Sequence, residues 1–390
     1  MRISLLQRRT LSGREASPDP SSGGPRTVGG HFFNLRIIIV AIVLALGIAQ
    51  LPGWSPTAAA ASACEFEGVE RIVAIADVHG AYDRFVEILQ AAGVIDARPR
   101  WAGQKTHLVQ LGDVVDRGAG SRKALDLLRR LQGEADKAGG KVHFLLGNHE
   151  VMRMLGDLRF VVPGEYDAFL TAESSRTRAA VVETAKPDDR AQLLKETPLG
   201  SIEMRIAFGR EGEYGKWLRT LPVVVKINGI LFMHGGISPA VAALSCSEIN
   251  TTVGKELGAD LDKTRAAPLS SLAAREDGPL WYRGLAQQPV TFAGEVDDIL
   301  AKQHARAIVI AHTVIPEGRV VTRFEGKVTQ IDTGMQSDYV ATGRASALEI
   351  RGSMVTAIYT DRRDVLPEIP SEAPISATPP TSATPPAPPR

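Results

Sequence analysis

Five short apolar runs punctuate the chain, at residues 72–76, 108–111, 142–146, Ile230–Met233 and 308–311. Runs of this length without polar alternation read as strands buried on both faces. Between the first three, apolar residues recur at helical spacing instead. Residues 81–92 carry Phe85, Ile88 and Leu89 at i, i+3 and i+4, and residues 121–135 carry Leu125, Leu128 and Leu131 on one stripe. Gly93 and Gly139-Gly140 stand near the ends of these segments, where glycine is favoured. The start of the body is therefore a β-α-β-α-β unit. Further on the pattern changes to hairpins: 223–227 with Ile230–Met233 around Asn228-Gly229, 320–324 with 328–331, and 347–350 with Met354–Tyr359. Residues 151–220 are polar and helix-prone, and predict a helical insertion over the site. An α/β fold results, a four-layer α-β-β-α sandwich of two mixed sheets.

Each apolar run stops at residue types that bind metals. The first runs into Asp77-Val78-His79-Gly80, the second into Gly112-Asp113, the third into Gly147-Asn148-His149-Glu150, the fourth into His234-Gly235-Gly236 and the fifth into His312. Hard and borderline cations take such Asp, Asn and His ligands. Open α/β sheets place their sites at the carboxyl ends of strands. Asp77 to Asp113 is 36 residues and Asp113 to Asn148 is 35, about one β-α repeat each, so these loops emerge side by side. No single motif is specific; the joint pattern points to one two-metal site for phosphate esters.

A two-metal site needs a carboxylate able to bridge, with ions about 3.5–4 Å apart. Asp113, between the other loops, is the best bridge. Asp77 and His79 complete the first metal; Asn148, His234 and His312 complete the second. Two cations lower the pKa of a shared water, so a bridging hydroxide is available to attack phosphorus in line. His149 is the candidate general acid for the leaving group. Asp116 is its carboxylate partner, a cap for the helix at 121–135, or a plain loop residue. Arg117 offers a planar fork for phosphate oxygens, and Arg283 could clamp from the other side. His107, His143 and His304 read as structural or surface residues.

Composition leaves this picture unchanged. The chain is 44% hydrophobic and 23% charged with a net charge of +1, so no global basic surface argues for nucleic acid. The ends are different. Residues 37–49 form an apolar stretch too short for a bilayer span of about 20 residues. With Arg26 and Arg36 before it and Ala61-Ser62-Ala63 after it, residues 1–63 read as a signal peptide or N-terminal extension. That predicts an exported, periplasmic protein, with membrane contact only through this segment. Cys64 directly follows, which leaves lipid attachment open; a bridge to Cys246 requires an oxidising compartment. The catalytic domain is placed at 64–365, and the Pro-rich stretch 366–390 reads as a disordered tail.

At these motifs the chain resembles the calcineurin-like metallophosphoesterases, in their phosphoprotein phosphatase branch. Ala76-Asp77-Val78-His79-Gly80, Gly112-Asp113-Val114-Val115-Asp116-Arg117-Gly118, Gly147-Asn148-His149-Glu150 and His234-Gly235-Gly236 carry the resemblance. Residues 147–161, Pro279-Leu280-Trp281-Tyr282-Arg283-Gly284, Ala311-His312-Thr313 and Asp332-Thr333-Gly334-Met335 look most like the Shewanella-like protein phosphatases. The resemblance spans roughly 70–352. It implies a phosphatase with Mn, Fe or Zn, and the same ligand, acid and arginine roles. It also implies a phosphoprotein or a small phosphoester as substrate. A diadenosine tetraphosphatase-like nucleotide hydrolase, which shares the Asp-Arg-Gly loop, is the alternative. Ala76 departs from the family's first motif glycine, and the C-terminal tyrosine motif of eukaryotic Ser/Thr phosphatases is missing.

Overall fold

The computed structural model describes residues 64–338 and 340–374. The expected signal segment and cleavage site, and the tail beyond 374, lie outside the described residues.

Two six-stranded mixed sheets form the frame. In one, β2 (Ile72–Ile75), β3 (His107–Gln110) and β4 (Lys141–Phe144) run parallel. Beyond β2 lie the antiparallel strands β10 (Ser346–Arg351), β11 (Met354–Tyr359) and β12 (Arg363–Leu366). The other sheet begins with a two-residue strand β1 (Glu65–Phe66), next to β5 (Val224–Ile227) and β6 (Ile230–Met233). It continues through β7 (Ala307–Ile310) and β9 (Val328–Gln330) to the edge strand β8 (Val321–Arg323). The three expected hairpins all form, antiparallel. Asn228 and Gly229 take φ of 51° and 71° at the first, the left-handed pair that a tight two-residue turn requires.

Alternation along the strands explains the layering. In β2, Ile72 and Ala74 pack into a core shared with Val225, Phe232 and Val309 of the other sheet, while Val73 and Ile75 pack with the helices. β6 divides likewise, with Ile230 and Phe232 inward and Leu231 and Met233 outward. Each strand therefore buries both faces, which is why the runs look uniformly apolar.

The helices α1 (Tyr82–Ala91) and α2 (Ser121–Lys137) flank β2–β4 and bury Phe85, Ile88, Leu89, Leu125, Leu128 and Leu131. α3 (Asn148–Leu155) starts directly after β4. Five short helices fill the stretch before β5: α4 (Pro163–Asp167), α5 (Ser174–Glu183), α6 (Arg190–Glu196), α7 (Ser201–Phe208) and α8 (Glu213–Leu218).

One boundary differs from expectation, and one cysteine is settled. Strand β12 reaches Leu366, and Ile369 is buried with its N–H on the Ser353 carbonyl, so packing continues past residue 365. Cys64 is joined to Cys246 in a disulfide with Cα atoms 6.1 Å apart. Cys246 is buried as well as bridged, and the Cys64 thiol is taken up by it rather than left for lipid. Among the described residues, no helix is long and apolar enough to cross a membrane.

Candidate active site

All ten predicted site residues follow the carboxyl ends of β2, β3, β4, β6 and β7, except Arg283, which precedes a short helix over Gly284–Gln287. The loops are tight. His79, Asp113, Asp116, Arg117 and His312 all have left-handed backbone, with φ between 46° and 71°. Such geometry costs of order 1–3 kcal/mol per residue and persists only where its surroundings over-determine it. Part of that determination is close backbone approach: a Cβ on Gly112 (φ +92°) would collide with the Gly147 backbone nitrogen.

Asp77, His79, Asp113, Asn148, His234 and His312 are all buried. Asp113 is common to two clusters of ligand atoms, one with His234 and His312, the other with His79 and His149. His234 Nε2 lies 2.8 Å from Asn148 Oδ1, 3.1 Å from His312 Nδ1 and 3.2 Å from Asp113 Oδ2. Its Nδ1 meets the Leu111 carbonyl at 2.8 Å and takes the proton there, which leaves the Nε2 lone pair facing acceptors. His79 repeats this device, with Nδ1 3.0 Å from the Val115 carbonyl and Nε2 3.7 Å from both Asp77 and Asp113. A carbonyl that fixes the tautomer is the usual second partner of a metal-binding histidine. Lone pairs converging in a dry site fit a cation far better than they fit one another.

Electrostatics agree. Burial, then the charge of His149, pushes His79 down to about 3. Burial resists ionisation of Asp113, but His234 and His149 outweigh it and hold the carboxyl well below its usual range. Asp77 is driven the other way by burial, by Asp332 and by Asp113. Two carboxyl groups in contact, Asp77 and Asp332, need a shared proton or a cation.

His149 sits beside this cluster, with Nε2 3.9 Å from Asp113 Oδ2. It also falls within ligand reach of His79 and Asp113, but its Nδ1 is 2.7 Å from Asp116 Oδ2. Burial disfavours its charged form; Asp113 and the Asp116 hydrogen bond overcome that and raise its pKa. Asp116 is thus the histidine's partner, and the N-cap of α2 is Gly120. Arg117 is half-buried, its guanidinium 5.0 Å over the Phe160 ring. Arg283 donates to the His312 carbonyl at 2.9 Å and to Thr313 Oγ1 at 3.1 Å, so it stands against the His312 loop. His107, at the start of β3, contacts His143 within β4, and His304 is exposed.

Four supporting residues carried no assigned role in the sequence reading. Glu150 accepts backbone N–H groups from Asp113, Val114 and Gly147 at 2.8–2.9 Å. Asp332 backs Asp77. Arg153 and Glu165 extend the Asp116 side. The position of Glu150 next to His149 hinted at its place; nothing local marked Arg153 or Glu165.

Buried carboxylates, imidazoles and an amide at strand ends between two mixed sheets define a metal-dependent phosphoesterase. The chain belongs to the calcineurin-like phosphoesterase family, whose model matches residues 70–316. It is a hydrolase acting on phosphoesters, and the family's divalent metal ions have candidate ligands in the two clusters. An uncharacterized protein of Schizosaccharomyces pombe is 35% identical over 74% of this chain and 80% of its own length. Shewanella-like protein phosphatase 2 of Arabidopsis thaliana is 30% identical, covering 76% and 78%. The cold-active protein-tyrosine phosphatase of a psychrophilic Shewanella superposes with a TM-score of 0.61 at 30% identity, covering 78% of this chain and 82% of that one.

Proposed function

We propose that the protein is a dinuclear phosphomonoesterase acting on phosphoproteins, with His149 as the acid that protonates the leaving group. The observation that carries this reading is Asp113, shared by both ligand clusters and faced by His149. Asp77 and His79 would hold one ion, and Asn148, His234 and His312 the other, with Asp113 between. Nitrogen and oxygen donors without thiolate suit Mn, Fe or Zn. Bound there, the ion pair supplies an activated water and neutralises phosphate charge. Asp116 keeps the His149 ring oriented and favours its imidazolium. Arg117 and Arg283, one by the loop after β3 and one by the loop after β7, orient phosphate oxygens. The names of the Arabidopsis and Shewanella relatives support a protein substrate.

The test is metal analysis of protein prepared without chelator, followed by turnover of phosphoserine, phosphothreonine and phosphotyrosine peptides beside diadenosine tetraphosphate. Two ions per chain and phosphopeptide hydrolysis are expected. Fully loaded protein that hydrolyses only the dinucleotide overturns the substrate reading.

We further propose export to an oxidising compartment, supported by the Cys64–Cys246 bridge. Protein trapped by alkylation in intact cells should carry no free thiol; two alkylated cysteines would refute this.

A further inference from the structure

Behind the His149–Asp116 pair stands a second pair of charges. One Asp116 oxygen meets His149 Nδ1 at 2.7 Å, and the other accepts from Arg153 Nη2. The same Nη2 donates to Glu165 Oε2 at 2.7 Å. None of the four side chains is more than 3% exposed by residue. With the imidazole protonated, the row alternates plus, minus, plus, minus, and its net charge is zero. Buried ions persist only when paired in this way; removing one partner strands the next.

The row also links separate parts of the chain. His149 and Arg153 are four residues apart on α3 and share a face. Glu165 comes from α4. Two residues of α7 enclose the guanidinium: the Phe208 ring lies 4.9 Å from it, and the Met204 sulfur accepts from Nη1 at 3.7 Å. The helical stretch before β5 thus encloses the far side of the acid pair.

We propose that Arg153 and Glu165 are positioning residues for the acid step: they fix Asp116, and through it aim His149 Nε2 at the leaving oxygen. The inference rests on the acid role given to His149 above. In that step the oxygen of the attacking water forms a new bond to phosphorus, the P–O bond to the leaving group breaks, and its electron pair goes to the leaving oxygen. The Nε2 proton follows it there. Misaiming the proton should therefore matter most when the leaving oxygen is strongly basic.

The experiment compares phenyl phosphate, whose phenol has a pKa of about 10 like that of tyrosine, with a dinitrophenyl phosphate that leaves without help. Full-length, metal-loaded Glu165→Gln, Arg153→Lys, Arg153→Met and His149→Ala are assayed, with metal content and unfolding midpoint read from the same preparations. Full loss of general-acid help amounts to about 10²–10⁴-fold. Glu165→Gln and Arg153→Met should lose about 10–100-fold in kcat on phenyl phosphate, a part of that range. They should lose little on the dinitrophenyl ester, with KM and metal content held. Arg153→Lys, which keeps the charge, should recover part of the loss. Equal losses on both substrates, or none, overturn the inference. If His149→Ala itself shows no such selectivity, the acid assignment fails. If it does and the other variants do not, only the present inference fails.

Discussion

The Glu150 carboxylate takes the backbone N–H of Asp113 at 2.8 Å, so the loop after β3 is tied to the first turn of α3. The same oxygen takes Gly147 at 2.9 Å, and the other takes Val114 at 2.8 Å. An amide in its place would turn an NH2 group towards these donors. Glu150→Gln should cost about 1.5–3 kcal/mol, the range for hydrogen bonds to a charged group. Denaturant unfolding reads the loss; unchanged stability would mean the loops hold without it.

Asp113 and His149 should separate metal binding from acid catalysis. Asp113→Asn removes the charge shared by both clusters and is expected to lose metal and turnover together. His149→Ala should keep its metal and lose about 10²–10⁴-fold in kcat. Asp113→Asn with both ions and full turnover would remove the bridging role.

Acid sensitivity has a source far from the metals. Burial, then His107, pushes His143 down to about 3 from the ordinary 6.5. Between those pH values the unfolded chain binds a proton that the folded chain refuses, so stability is lost as pH falls below 6.5. At 1.36 kcal/mol per unit this amounts to about 2 kcal/mol by pH 5. His143→Gln, which keeps a polar group facing His107, should flatten the fall in unfolding midpoint from pH 7 to pH 5. A parallel slope would assign the sensitivity elsewhere.

The Cys64–Cys246 bridge closes a loop of 182 residues and ties the edge strand β1 to α9 (Cys246–Leu257). Reduction, or the double replacement by serine, should cost about 2–4 kcal/mol. Activity at low temperature should be kept, since the ligand loops lie on other strands. Thermal unfolding with and without reductant checks the first point.

The strands, and the convergence of the side chains that follow them, were legible because one pattern served both: uniformly apolar runs ending in Asp, Asn or His. The alternation of Ile72 and Ala74 against Val73 and Ile75 was hidden, since both faces are buried. Asp116 could not be decided between helix cap and histidine partner from spacing, because only the fold shows which side chain it meets. β1 pairs through two residues and carries no periodicity. Nothing in the spacing marks Arg153 or Glu165, because their burial is a property of the helices packed over them. Asp332 stood in a recognised motif, but its meeting with Asp77 joins the ends of two different sheets.

Left-handed backbone at His79, Asp113, Asp116, Arg117 and His312 has a consequence for any stability screen. Glycine takes such angles without steric penalty. Substitution there can relax the chain while it deletes the chemistry, so the most heat-tolerant variants would include some of the least active. Selection for thermal robustness and selection for turnover pull these five positions in opposite directions.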